Sequence, residues 1–587
     1  MESLRGIAVS PGIVIGRIAV LENDLHRIPR RVVAAEAVAE ELATLERAIK
    51  ASIGELRTIQ ARATTEMGEE AAKIFLVHIG MLRDQTLTAP IRERIEREKV
   101  SAEYAVSQEF SRLAAKFRSM PDSAFATKVN DIEDLARRLL RHILNEPEHD
   151  PLRAASRSGL VVVARDLTPS QAAGFDRARV VGFATDLGGR TSHTAIVAKA
   201  LGIPAVVGCR VLRRMASDGM TIILDGDRGT VILDPDEATI RLYRGYIEQR
   251  REFQVSLGEL RDLPCVTSDG QAVHLLGNIE FPGEVDAVIH SGGEGVGLYR
   301  TEFLYLTSKG EVTEEDHFRA YTACVEKLAG RECVIRTMDL GADKYTQEQE
   351  ADPERNPFLG CRSIRYCLRN IPMFKRQLRA ILRASAFGPI KIMFPLVTNL
   401  VEFRHGKAIL SDVMEDLHEE GEKFDASIKV GMMVEVPSAA LMADEFAREA
   451  DFFSIGTNDL VQYTLAVDRT NERIASLYAA THPAVLRLIR EVVKDARKHK
   501  TPVSCCGEAA ADLEYAGLLI GMGVRTLSVT SVAIPQLKRF VRSVTVHDCE
   551  QVARKALSLD SDVQIAALLR DWARKIVPEA FDGRAAE

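Results

Sequence analysis

The chain has 587 residues, 46% of them hydrophobic and 27% charged, with 39 Gly and 21 Pro, which excludes a disordered, fibrous or low-complexity protein. Lys plus Arg number 77 against 84 Asp plus Glu, a formal net charge of −7 that argues against general nucleic-acid binding and leaves room for a local anion pocket. The nine Cys lack zinc-ligand spacing, the start lacks a signal-peptide core, and no stretch reaches the ~20 apolar residues of a membrane span, so a cytoplasmic chain with reduced thiols is expected.

In chain order, the segment from Gly6 to Val20 is Gly-punctuated and β-branched, and predicts two short strands around a Ser-Pro-Gly turn. From about Val32 to Leu144 apolar residues recur at helical spacing. Ala35–Ile59, Glu69–Leu82, Ala89–Arg97, Ala102–Phe117 and Ile132–Ile143 read as amphipathic helices of an antiparallel bundle. A polar stretch at 146–158 ends that block, and short strand and helix signals alternate from Gly159 to Pro235. The opening strands have no partners in the helical block, so they are expected to join this second sheet, making the helical block an insertion. Residues 236–260 are charged and helical and suit a linker helix.

From Leu263 apolar runs of strand length alternate with helical stretches: Val273–Gly277, Gly295–Leu298, Val334–Thr337, Ile390–Phe394, Val430–Val434, Phe452–Ile455, Val503–Cys505 and Thr526–Ser528. These are eight strand candidates over about 300 residues, the count and size of a (β/α)8 barrel, with an open doubly wound sheet as the alternative. The reactive side chains fall at the ends of these runs: Arg300, Arg336 with Asp339, Glu435, Asn458 with Asp459, and Cys506. Barrel active sites are built on that rim.

Four constellations carry chemistry. Gly188-Gly-Arg-Thr-Ser-His193 predicts a Gly-Gly turn into a helix starting near Ser192, with His193 in its first turn beside free N–H groups. A lone His is usually structural, but this setting suits a nucleophilic His forming a phosphoramidate. Asn458-Asp459 after a buried strand is often only a turn or cap; with Glu435 at the preceding strand end it offers hard oxygen ligands for Mg²⁺. Arg300, Arg336, Arg362 and Arg469 follow apolar or Gly-rich segments near the same rim, and their planar forks match phosphate and carboxylate. In Cys505-Cys506, strand alternation turns one thiol inward, and Cys506 at the strand end could donate a proton to an enolate, although vicinal thiols are more often only packed.

Together the Gly-Gly-Arg-Thr-Ser-His-Thr and Ser-Ile-Gly-Thr-Asn-Asp-Leu-Val-Gln-Tyr strings closely resemble the phosphoenolpyruvate–protein phosphotransferases, Enzyme I of bacterial sugar phosphotransferase systems, over nearly the whole chain. The resemblance implies a multidomain α/β protein. A phosphohistidine (swivelling) domain would span 1–21 and 146–233, with a helical carrier-binding domain inserted at 22–145. A linker helix at 234–262 and a phosphoenolpyruvate-binding (β/α)8 barrel and dimerisation domain at 263–575 would follow. It implies that His193 is phosphorylated at Nε2. Arg300, Arg336 and Arg469 would bind phosphoenolpyruvate, helped by Asn458 and the Asp459 backbone, with Arg362 at the phosphate end. Glu435 and Asp459 would hold Mg²⁺, and Cys506 would protonate the enolate to pyruvate. The helical block, with Phe75 and His78, looks like the dock for the histidine phosphocarrier protein HPr, and a homodimer through the barrel is expected. One His serving two partners implies hinges near 22–32, 145–158 and 234–262. No Walker-type loop appears, which argues against an ATP-using dikinase. A nitrogen-type regulatory relative or phosphoenolpyruvate sensor is the alternative.

Overall fold

β-branched residues and glycine turns make the opening segment three strands: β1 (Glu2–Arg5), β2 (Ile7–Ser10) and β3 (Ile13–Leu21). The structure, a computed structural model, describes residues 1–587 apart from 22–27, 68, 119–122, 145–157, 168–170, 172–174, 177, 190–197, 199–201, 308–311, 341–355, 470, 472–473, 475–476 and 582–587. The described residues form two compact units, 1–248 and 249–587.

In the first unit the three opening strands share one sheet with β4 (Leu160–Ala164), β5 (Val180–Thr185), β6 (Ala205–Val207), β7 (Thr221–Asp225) and β8 (Thr230–Leu233). The strand order is β1-β8-β7-β3-β4-β5-β6-β2. The sheet is mixed: β3 runs parallel to β4, with Arg17 opposite Leu160, and antiparallel to β7. β4 is buried along its whole length. Leu160, Val162 and Ala164 join one apolar cluster, and Val161 and Val163 join another. A strand covered on both faces reads as a continuous apolar run rather than an alternating one.

Among the described residues between β3 and β4 lie five α-helices: α1 (Val38–Met67), α2 (Glu69–Arg83), α3 (Gln85–Glu98), α4 (Ala102–Arg118) and α5 (Ser123–Leu144). Their core contains Leu45, Phe75, Ile91, Val106, Phe110 and Leu139. The sequence places the third helix start at Ala89, just before Pro90, but α3 begins four residues earlier. The Asp84 side chain caps it, accepting from the Thr86 N–H at 2.8 Å, and Pro90 is carried inside the helix. α5 likewise starts nine residues before the expected Ile132. A further helix, α6 (Glu237–Glu259), spans the boundary between the units, with Asp236 accepting from the Thr239 N–H at 2.7 Å.

The second unit is a closed barrel rather than an open sheet. Its strands are β9 (His274–Ile279), β10 (Val296–Arg300), β11 (Cys333–Arg336), β12 (Ile390–Phe394), β13 (Lys429–Val434), β14 (Phe453–Ile455), β15 (Val503–Cys505) and β16 (Thr526–Val529). Each pairs in parallel with its neighbours, and β16 returns to β9. Period-two alternation splits the strand side chains into two sets. Leu298, Val334, Met393, Met433 and Phe452 form an inner cluster with Cys506, whereas Cys505 belongs to the large cluster that also holds the helix residues.

Candidate active site

The C-terminal strand ends converge on one small cavity of about 170 Å³. Arg300 is the last residue of β10 and Arg336 the last of β11. Glu435 follows β13 directly, and Cys506 follows β15. Asn458 and Asp459 lie in the first turn of the helix Thr457–Leu465, which starts two residues after β14. All of these line the cavity, together with Arg362 and Arg469. Every site residue singled out from the sequence is therefore brought together except His193. That residue, with the helix start expected near Ser192, lies outside the described residues. Before it, Gly188 adopts φ 108°, a left-handed turn conformation that favours glycine.

The arginines are held by carboxylates. Asp339 bridges two of them: one oxygen sits 2.9 Å from Arg336 Nη1 and the other 2.9 Å from Arg362 Nη2. The Ser363 hydroxyl also donates to Asp339. Burial raises the pKa of Asp339, but the Arg336 and Arg362 guanidiniums outweigh it and hold the carboxyl well below the usual range. Arg336 also pairs with Glu302, and Arg300 Nη1 lies 3.4 Å from Glu280. Arg362 further reaches Asp459 Oδ2 at 3.2 Å and the Tyr463 hydroxyl at 3.2 Å, and lies over the Phe358 ring. Such forks are fixed in direction before a ligand arrives, which lowers the entropy lost on binding. Glu302, Ser363 and Tyr463 were not singled out from the sequence. Only Glu302 left a signal, as the acid two residues beyond a strand-end arginine.

Glu435 and Asp459 are buried beside one another. Glu435 accepts from the Leu396 N–H at 2.6 Å, and burial, then the Asp459 and Asp339 carboxylates, push its pKa up against the pull of Arg336 and Arg362. Asp459 Oδ1 is buried without a hydrogen-bond partner among the described residues. Two neighbouring carboxylates with an orphaned oxygen fit a hard divalent cation with open positions for a substrate oxygen. Cys506 is 2% exposed, and its thiol lies 3.8 Å from the Ile455 carbonyl oxygen. Burial first, then Glu435, raise its pKa, with Ser454 and the arginines opposing, so the thiol keeps its proton at neutral pH. The Asn278 amide donates to the Cys506 carbonyl at 3.0 Å, and the Ser528 hydroxyl donates to that amide's oxygen at 2.6 Å.

In the helical region Phe75 and His78 are both buried, His78 with Nε2 3.1 Å from Asp131, so neither presents its ring to a partner. The exposed residues of that stretch are Leu76 and Val77.

Comparison with known proteins gives the arrangement a lineage. The family model for the PEP-utilising enzyme, PEP-binding domain, matches residues 254–546. Those for the N-terminal and mobile domains of PEP-utilising enzymes match 5–128 and 156–229. A phosphoenolpyruvate-protein phosphotransferase of Priestia megaterium is 41% identical over 569 residues, covering 97% of this chain and 99% of its own. That of Bacillus subtilis is 40% identical over 576 residues, covering 97% and 100%. With end-to-end similarity at that level, the chain belongs to the phosphoenolpyruvate–protein phosphotransferase family.

Proposed function

We propose that this chain takes the phosphoryl group of phosphoenolpyruvate onto His193 and passes it to a histidine of a phosphocarrier protein of the HPr type, releasing pyruvate as the first step of a sugar phosphotransferase system. The observation that carries the reading is the convergence of four arginines, two adjacent buried carboxylates and one buried thiol on a single small cavity at the barrel rim. A ligand carrying both a phosphate and a carboxylate uses that many guanidinium forks.

The chain's own groups divide the work. Arg300, Arg336 and Arg469 clamp the anion, with Asn458 donating to it and Arg362 at the phosphate end. Their fixed charges spread the negative charge of the transferring group, which is most of what phosphoryl transfer requires. His193 Nε2 forms the new P–N bond as the P–O bond to the enol oxygen breaks. The enolate carbon then takes the proton of the Cys506 thiol, giving pyruvate. Glu435 and Asp459 would hold Mg²⁺, which when bound neutralises charge on the phosphate and enolate oxygens.

The helices α1–α5 are the proposed dock for the carrier, with Leu76 and Val77 as exposed apolar contacts. The barrel is the proposed dimer interface and the cytoplasm the proposed compartment. Among the described residues no helix is long and apolar enough to cross a membrane. Of the proposed hinges, residues 22–27 of 22–32 and 145–157 of 145–158 lie outside the described residues, while 234–262 is mostly the helix α6.

The experiment is incubation with phosphoenolpyruvate labelled in its phosphate, with Mg²⁺, with and without a purified carrier. Acid-labile label on the wild type, absent from His193→Ala and chased onto the carrier, is the expected outcome. His193→Ala should still bind phosphoenolpyruvate. Absence of label on a wild type that binds phosphoenolpyruvate would overturn the reading in favour of a sensor.

A further inference from the structure

The strands β14 and β15 run in parallel with Ile455 opposite Cys505, and this register continues beyond their ends. The Cys506 N–H donates to the Ile455 carbonyl at 3.1 Å. Gly507 then lies so close to Thr457 that a Cβ there would fall 1.8 Å from the threonine hydroxyl. One step further, Glu508 meets Asn458. The Asn458 Nδ2 donates to Glu508 Oε1 at 3.0 Å, and the Glu508 backbone N–H donates to Asn458 Oδ1 at 3.0 Å. The Tyr478 hydroxyl donates to the Asn458 carbonyl at 3.0 Å and fixes the backbone beneath.

This pairing settles which way the Asn458 amide faces. A backbone N–H can only donate, so the amide oxygen must face it. An ionised carboxylate can only accept, so the amide nitrogen must face that. Neither contact survives a flip of the amide. One N–H remains, and Asn458 lines the small cavity. The residue therefore offers the substrate a donor.

We propose that Glu508 is a positioning residue that locks the Asn458 amide with its free N–H available to an anionic oxygen of the substrate, so that this position selects for a phosphate or carboxylate acceptor. The proposal deepens the phosphoenolpyruvate reading above and rests on it. Glu508 needs no contact with substrate. It acts by removing the alternative amide orientation, in which a carbonyl oxygen would oppose the anion. A locked donor loses little rotamer freedom on binding, so losing the lock raises KM more than it lowers kcat.

The test is steady-state transfer by the full chain, with Mg²⁺ and a purified carrier, at varied phosphoenolpyruvate. Glu508→Ala is expected to raise KM about tenfold while kcat stays within about threefold, the scale of one hydrogen bond to a charged group. Glu508→Gln, whose side-chain carbonyl still accepts from Asn458, is expected to bring KM back to within about twofold of wild type. In an Asn458→Ala background, Glu508→Ala is expected to add nothing. An unchanged KM in Glu508→Ala, failure of Gln to rescue, or full additivity in the double variant overturns the positioning role. A wild-type KM in Asn458→Ala is a different failure: it removes Asn458 from the substrate site and takes down the reading on which the proposal rests.

Discussion

Asp339 shows how much a single buried carboxylate can organise. Its two oxygens each hold a different arginine at 2.9 Å, so the guanidiniums of Arg336 and Arg362 are oriented before any substrate enters. The site is thereby assembled from balanced charge: Glu302 and Asp339 face Arg336, Asp339 and Asp459 face Arg362, and Glu280 faces Arg300. A buried arginine without such partners would carry a desolvation cost of several kcal/mol. At the same scale Cys506, the proposed proton donor, is buried and lines the cavity together with Arg336 and Glu508. Cys506→Ala is expected to slow pyruvate formation about 10²–10⁴-fold, the range for loss of a general acid, and to change the dissociation constant for phosphoenolpyruvate by less than about threefold. Single-turnover pyruvate release and equilibrium binding measure the two. Unchanged turnover would remove the thiol from the mechanism.

The decisive elements are the strand ends rather than the strands. β14 and β15 are each three residues long, yet the segments just beyond them bring Thr457 against Gly507 and Asn458 against Glu508. That close approach depends on Gly507. Any Cβ at this position meets Thr457 Oγ1 at 1.8 Å and the Thr457 nitrogen at 2.6 Å. Gly507→Ala is expected to push the two segments apart, lower stability by about 1–3 kcal/mol as overpacking does, and raise the KM for phosphoenolpyruvate. Thermal unfolding and steady-state kinetics on the same variant check both effects. A variant with wild-type melting temperature and KM would show that the segments need not lie so close.

For the molecule as a whole, one buried histidine should contribute to how the barrel's stability depends on acid, against the opposite contribution of the raised carboxyls of Glu435 and Asp512. His317 is fully buried, with Nε2 2.9 Å from the Tyr305 hydroxyl and Nδ1 2.8 Å from the Tyr321 hydroxyl. Burial pushes its pKa down to about 4, with Asp316 opposing and Arg376 adding. The folded chain therefore holds this ring neutral where the unfolded chain, titrating near its ordinary 6.5, would protonate it. Between those values the unfolded state binds more protons, so stability rises with pH across that window. The contribution is complete above about 6.5 and is lost as pH falls toward about 4, amounting to roughly 3 kcal/mol at most. His317→Gln, which keeps a hydrogen-bonding side chain without a titrating ring, should flatten that dependence in the calorimetric transition of the barrel. An equally steep acid dependence in the variant would place the titrating group elsewhere.

Much of this organisation was legible in the chain. Ile390–Phe394 and Val503–Cys505 are strands at the residues read from their apolar runs, and the other six barrel strands fall within a few residues. The reason is local: a strand buried on both faces must be continuously apolar, and a polar residue at its end must lie on the rim. Helix starts were less legible, because Asp84 outcompetes Pro90 as the signal for where α3 begins. The eight apolar runs and the family resemblance pointed to a closed barrel, but the residue pairing that closes it, β16 on β9, was not legible, since it depends on strand tilt and stagger summed around the ring. The partners of the arginines were hidden for the same kind of reason. Asp339 and Arg362 are 23 positions apart, and Asn458 and Glu508 are 50 apart. Residue type and spacing determined which arginines, carboxylates and thiol stand together on the barrel rim. Only the tertiary structure decided which carboxylate holds which arginine and which way the Asn458 amide faces, because those depend on ångström-scale distances between segments the sequence leaves far apart.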